Sequence, residues 1–298
     1  MKPTLLVLAA GMGSRYGGLK QMDAFGPSGE TILDYSIYDA IQSGFGKVVF
    51  VIRESFNEAF RAFFSGKFDD LIEVEYVFQD ITDVPEGSSY TPDREKPWGT
   101  AHAVWVARHV INEPFAVINA DDFYGRGAYR EIKSYFDQGH TNYSLVGYQL
   151  SNTLSDHGTV NRGVCQVNET GQLKTVVETL KIGFEADGTI SYPTEDGSAN
   201  LAAETVVSMN FWGFTPDYFS YAEDYFKGFL SKRGHEPKSE FFIPLLIEDL
   251  IQRDEKSVEV LSCDEHWFGV TYQEDKPIVV EKIMDLLRRE VYPKKLWG

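Results

Sequence analysis

Four residues close together near the start of the chain, Gly11, Gly13, Arg15 and Lys20, are of the types that hold polyphosphate. The glycines let the backbone adopt positive φ and approach a ligand closely, so that successive N–H groups aim at phosphate oxygens. A guanidinium forks onto two phosphate oxygens and an ammonium acts as a mobile point charge, so Arg15 and Lys20 suit a polyphosphate better than a single carboxylate. Two familiar glycine motifs are excluded. The dinucleotide fingerprint needs a third glycine where Tyr16 stands, and the P-loop needs Gly-Lys-Ser/Thr where Leu19 precedes Lys20. A second chemical feature lies far along the chain, the acidic pair Asp121-Asp122 in NADDFYG.

The elements that must position these residues follow from hydrophobic pattern. Thr4 to Leu8 is a short apolar run between Pro3 and the glycines, and it reads as a buried parallel strand feeding the glycine turn. Thr31 is set to cap a helix through Ile32 to Ser43, ended by Gly44 and Gly46. Lys47 to Ile52 is a second buried strand, Phe56 to Gly66 a helix, and Ile72 to Gln79 a third strand. Asp80 to Trp98 is long, polar and aperiodic, the pattern of a functional loop or lid. A helix then runs from Gly99-Thr100 to about Val110, followed by strand Phe115 to Asn119. Alternating strands and helices imply a parallel sheet with right-handed crossovers. Ligands of such sheets sit beyond the carboxyl ends of the strands, where both the glycine turn and Asp121 fall, so the two motifs are expected to face each other.

The second half reads differently. It offers a strand at Tyr143 to Tyr148, a hairpin of Val164 to Val167 and Leu173 to Glu178, and a strand from Glu204 to Phe214. Helices at Asp217 to Leu230 and Ser239 to Gln252, a last strand Ser257 to Leu261 and a helix Pro277 to Glu290 complete it. The chain shows no repeat, low-complexity tract or linker, so the expected fold class is α/β. It is read as a single Rossmann-like domain with a mixed, mostly parallel sheet flanked by helices.

Composition bounds the function. At 298 residues the chain can bury roughly three quarters of its unfolded surface. The two cysteines, Cys165 and Cys263, form no C-x-x-C and indicate neither a disulfide framework nor a zinc cluster. With 28 Lys and Arg against 45 Asp and Glu, the net charge of −17 repels nucleic acid, so no nucleic-acid partner is expected. No secretory or membrane-spanning run stands out, which places the protein in the cytoplasm with no membrane partner. G-x-S-x-G and H-E-x-x-H are absent and the six histidines are scattered, leaving hydrolase and zinc readings without support.

The run LAAGMGSRYGGLK, Leu8 to Lys20, resembles the L-A-A-G-x-G-x-R…K signature of sugar-1-phosphate nucleotidyltransferases, enzymes of GT-A-like fold. Gln79 followed by Pro97-Trp98-Gly99-Thr100-Ala101 resembles that family's base-reading glutamine and P-x-G-T-A segment. An amide offers both donor and acceptor to a base edge. The resemblance implies that Ala10, Gly11, Gly13, Gln79, Gly99 and Thr100 bind nucleotide, within a nucleotide-binding half of about residues 1–125. It further implies catalytic roles for Arg15, Lys20 and Asp121, with Asp121 holding Mg²⁺ against the α-phosphate. Magnesium prefers hard oxygen ligands and few protein contacts where phosphates supply the rest. His157-Gly158-Thr159 with Asn161, then Glu178, Lys181 and Asn210, resemble the sugar-phosphate-binding positions, in a half of about residues 126–298. Here the chain departs from the pattern, because Thr179 and Leu180 separate Glu178 from Lys181. It departs again at the late W-x-D-x-G segment, where Trp267-Phe268-Gly269 carries glycine for aspartate, unless Asp264 or Glu265 reaches back to the metal.

The reading is an enzyme that joins a nucleoside triphosphate to a sugar 1-phosphate with release of pyrophosphate. Its partners are those two substrates, and a homo-oligomer stays open. The short Arg15 to Lys20 spacing also fits cytidylyltransferases acting on alditol, terpenoid or cofactor phosphates. A catalytically silent nucleotide-binding regulatory subunit is the third reading, against which Arg15, Lys20 and Asp121 together argue.

Overall fold

A computed structural model describes residues 1–11, 22–155, 158–270 and 275–298. Strand β1, Thr4–Leu8, lies between two parallel neighbours, so both its faces are buried and its apolar run is continuous. Helix α1, Ile32–Ser43, starts in the capping box of Thr31 with Asp34 and stops at Gly44, whose φ of 93° only glycine takes without strain. Strand β2, Lys47–Ile52, helix α2, Asn57–Phe64, and strand β3, Glu73–Phe78, follow. Helix α3, Thr100–Trp105, continues as a 3₁₀ turn, Val106–His109, where one longer helix was expected. Strand β4, Phe115–Asn119, leads through Ala120 and Asp121 to the short β5, Asp122–Phe123.

Helix α4, Arg126–Asp137, was not anticipated, because its polar outer face masks the buried stripe of Ala128, Tyr129, Ile132 and Tyr135. Strands β6, Tyr143–Gln149, β7, Val160–Val167, and β8, Leu173–Phe184, come next, the hairpin being far longer than expected. The ribbon grows by β9, Ile190–Thr194, and β10, Gly197–Leu201, two further unanticipated strands. Only the start of β9, at Ile190 and Ser191, is buried, and the rest of these short strands carries little alternation to read. Strand β11, Val206–Phe214, helices α5, Tyr218–Arg233, and α6, Ile243–Gln252, and strand β12, Val258–Cys263, precede β13, Phe268–Gly269, and helix α7, Lys276–Arg288. The expected last strand is thus β12, and the two-residue β13 after it escaped notice.

Among the described residues, 11 strands join one sheet. Its centre runs β3-β2-β1-β4-β11-β6-β12, and β11 alone is antiparallel to the others, a mixed and mostly parallel arrangement in a single α/β domain. The antiparallel ribbon β7-β8-β9-β10 branches from the first half of β11. One face packs under α3, α5 and α6 around Trp105, Trp212 and Phe226; the other packs under α1, α2 and α4 around Phe50, Tyr129 and Phe211. A third cluster seats α7 and the C-terminal segment on Phe123 and Tyr35. Within it Phe123 stacks on Phe268 at 4.3 Å, which clamps β13 against β5. No helix among the described residues is long and apolar enough to cross a membrane.

The segment between β3 and α3 is anchored. The Arg94 guanidinium, buried over the Trp98 ring at 3.5 Å, donates to the carbonyls of Lys96, Pro97, Glu236 and Ser239. Asp83 takes two hydrogen bonds from Arg108, at 2.7 and 2.9 Å. The segment expected to be a lid is thus anchored at Asp83, Arg94 and Trp98, while Glu86, Asp93 and Glu95 stay exposed.

Candidate active site

Parallel pairing aligns four strand ends. Leu8 of β1 is level with Val51 of β2 and Asn119 of β4, and Ile52 of β2 with Phe78 of β3. The chain leaves these strands at Ala10-Gly11, Arg53, Gln79 and Asp121 on one edge, so that Ala10-Gly11 and the acidic pair lie at neighbouring strand ends. The Ala120 N–H donates to the Leu8 carbonyl at 3.2 Å, and Arg53 Nε donates to the Ala10 carbonyl at 3.0 Å. From β3 to β4 is three strand spacings, about 15 Å. Gly13, Arg15 and Lys20, and His157 of the expected sugar loop, lie outside the described residues.

At the β3 end, Gln79 Nε2 donates to the Gly99 carbonyl at 3.0 Å and lies 3.4 Å from His102 Nδ1. Gly99 has φ 109°, and a Cβ there would stand 2.6 Å from the Phe241 carbonyl oxygen, so glycine is obligatory on packing grounds alone. The Thr100 hydroxyl accepts from the Ile243 N–H at the start of α6.

At the β4 end, Asp122 is held by polar neighbours. Asn119 Nδ2 donates to Asp122 Oδ2 at 2.8 Å, and the Tyr124 hydroxyl lies 3.3 Å from the same oxygen. Burial, with the neighbouring Asp121 charge second, pushes the Asp122 carboxyl up to about 7. Asn210 belongs to this network. Its Nδ2 donates to Asn119 Oδ1 at 2.8 Å and its Oδ1 accepts from Trp212 Nε1 at 2.9 Å. A bulge in β11 between Ser208 and Trp212 places Asn210 at φ 63° and turns its amide toward β4.

A second bulge handles the departure at Lys181. Opposite Asn161, β8 carries both Leu180 and Lys181, since Arg162 pairs with Thr179 and Val160 with Ile182. Lys181 takes φ 57° and its N–H donates to Asn161 Oδ1 at 3.0 Å. Glu178 is exposed on β8 opposite Gly163, and Gly158 is exposed in a bridge with Ser155. The structure thus joins Gln79 to Gly99 and Asn210 to the β4 end, while Gly158, Glu178 and Lys181 lie on the ribbon side.

Gly269 of β13 pairs with Asp122 of β5, and a Cβ on it would stand 2.6 Å from Asp122 Oδ1. Neither late acid reaches back. Gln149 Nε2 lies 3.4 Å from Asp264 Oδ1, and Glu265 Oε1 accepts from the Gly127 N–H at 2.7 Å, at the start of α4. The hard carboxylate oxygens of Asp121 fit a magnesium ion that draws its other ligands from phosphate and water. Among the described residues no three His, Cys, Asp or Glu side chains gather as a metal cage.

Sequence reasoning missed Asn119, Arg53 and His102. His102 alone left a signal, a polar side chain inside the otherwise apolar stripe of α3, where it is completely buried.

Ala10-Gly11 and the acidic pair thus stand at adjacent strand ends of a mostly parallel sheet, the edge at which α/β proteins bind their ligands. The profile of the nucleotidyl transferase family matches residues 4–271, and the chain belongs to that family. It is thus a nucleotidyltransferase. No curated protein matches it significantly in sequence. Its fold is that of a putative glucose-1-phosphate thymidylyltransferase from Bacillus anthracis, with TM-score 0.65, 14% identity and 98% of each chain covered. An inositol-1-phosphate CTP transferase from T. maritima gives TM-score 0.63 and 14% identity over 95% of this chain and 97% of that one. A UDP-glucose pyrophosphorylase complexed with UDP-glucose gives 0.62 and 16% over 96% and 99%.

Proposed function

We propose that this enzyme joins a nucleoside triphosphate to a sugar 1-phosphate, forming a nucleotide-sugar and pyrophosphate. The observation that supports the reading is the contact of the two strand ends that lead into the glycine-rich and acidic motifs, the Ala120 N–H donating to the Leu8 carbonyl. The nucleophile is an oxygen of the sugar phosphate, already anionic, so the residues need only align it with the α-phosphorus and neutralise charge. Arg15 grips the departing pyrophosphate, Lys20 steadies the α-phosphate, and Lys181 holds the incoming phosphate. Gln79 faces the base across the β3 end. Mg²⁺ held by Asp121 supplies charge neutralisation at the phosphates when bound. Residues to about 125 form the nucleotide half and those after it the sugar-phosphate half, with Gly158, Glu178 and Asn210 on the sugar side.

The test is a matrix of triphosphates against sugar phosphates, alditol phosphates and inositol phosphate, read as pyrophosphate release with Mg²⁺. Release that requires a sugar 1-phosphate is the expected result. Release only with the other phosphates replaces this reading with that of a cytidylyltransferase-type enzyme, and binding without release makes the chain a silent subunit.

A further inference from the structure

The orientation of the Gln79 amide is dictated by two acceptors. The Gly99 carbonyl oxygen, 3.0 Å away, can only accept, so the amide atom facing it must be Nε2. The second acceptor is the His102 ring. His102 Nε2 lies 2.8 Å from the Asp83 carbonyl oxygen, which again can only accept, so this nitrogen carries the ring proton. Complete burial in α3 keeps the ring neutral, its pKa pushed down to about 4. Nδ1 is then a bare lone pair, and the group 3.4 Å from it must also be a donor, the same Gln79 Nε2. Both amide hydrogens are thus directed at protein acceptors. The amide retains Oε1 as its group for recognition, not the donor and acceptor together that an amide has in principle.

We propose that His102 is a positioning residue that fixes Gln79 as a pure acceptor. With Oε1 set opposite the middle of the pairing edge, the triphosphate selected is one whose base carries a ring N–H there. Uracil, thymine and guanine have that N–H, whereas cytosine and adenine present a lone pair there and could satisfy Oε1 only through the exocyclic amino group in a shifted register. The proposal rests on the reading that Gln79 faces the base. It deepens that reading by naming the class of base.

Binding of UTP, dTTP, GTP, CTP and ATP is measured calorimetrically with Mg²⁺ and without sugar phosphate. The first three are expected to bind about tenfold or more tighter than CTP and ATP, the scale of one unpaired buried polar group. His102→Phe keeps a ring against Trp105 and Phe226 but frees one amide hydrogen. Gln79→Ala removes the amide. In both variants the preference should shrink to about threefold or less while triphosphate still binds, a change in ratio that a purely structural role would not produce. Should His102→Phe fail to fold, ¹⁵N shifts of the wild-type ring decide, with Nε2 protonated and Nδ1 bare expected and the opposite tautomer overturning the lock. Tight binding of all five triphosphates without preference, or an unchanged ratio in Gln79→Ala, overturns the proposal alone. Failure of all five to bind overturns the nucleotide-binding reading of the site with it.

Discussion

Gly269 and Asp122 face each other across the short β13–β5 pair so closely that the glycine Cα has no room for a substituent, a Cβ there lying 2.6 Å from Asp122 Oδ1. Gly269→Asp, which restores the aspartate of the W-x-D-x-G pattern, is accordingly expected to lower stability and activity together. Overpacking typically costs about 1–3 kcal/mol, and a further carboxylate beside two others adds to it. Urea unfolding and turnover check this; a gain in activity would show that β13 can move aside.

Asp264 lies by Gln149 and Glu265 caps the start of α4, so the metal is proposed to rest on Asp121. Asp121→Ala should abolish activity and Asp264→Ala should keep most of it. Titration of the ligand-free enzyme with Mg²⁺ should give little heat at sub-millimolar metal, with binding appearing once triphosphate is added. Equal loss in the two variants would mean that the late loop supplies a ligand after all.

Lys20→Ala is expected to reduce turnover far more than it raises the Michaelis constant, since a charge aimed at the reacting phosphorus matters most in the transition state. Arg15→Ala should weaken triphosphate binding as well, by about 2 kcal/mol for a lost charged pair. Unchanged turnover in Lys20→Ala removes that residue from the chemistry.

Arg94 ties the segment before α3 through four carbonyls and the Trp98 ring. Arg94→Ala leaves these carbonyls, of which that of Ser239 is buried, without their donor and should cost about 2–3 kcal/mol. Limited proteolysis of the wild type should cut this segment no faster without nucleotide than with it. Protection that depends on nucleotide would reinstate the lid.

Asp39 on α1 is buried and accepts hydrogen bonds from Arg126 and the Tyr292 hydroxyl, yet burial outweighs them and pushes its carboxyl up to about 7. A raised folded pKa means that the unfolded chain releases this proton first. The group's stabilising contribution is therefore full below the ordinary carboxylate pKa of 3.8 and is lost as pH rises to about 7. Asp39→Asn should flatten that decline, which is on the order of a few kcal/mol. Urea midpoints across the window test it, and parallel slopes in the two proteins would count against the assignment.

Local order was legible in the chain wherever one residue's own chemistry decides it. The limits of β1, α1, β2 and β4 follow from apolar runs bounded by Pro3, Thr31, Gly44 and Gly46. The expectation of polyphosphate at Gly11, Gly13, Arg15 and Lys20 rests on backbone freedom and fixed charge, properties of the residues themselves, and is carried into the proposed function. Strands β9 and β10 and helix α4 were not legible, since their outward faces are polar and their stability comes from neighbours distant in sequence. Pairing decided the rest. Only the contact of β13 with β5 explains why Gly269 is glycine, and only the two bulges set where Asn210 and Lys181 stand. The acceptor-only state of Gln79 depends on His102 and on the carbonyls of Gly99 and Asp83, groups brought together by the packing of α3. A hydrogen-bond partner is a matter of distance and direction, which the sequence constrains only through the completed fold.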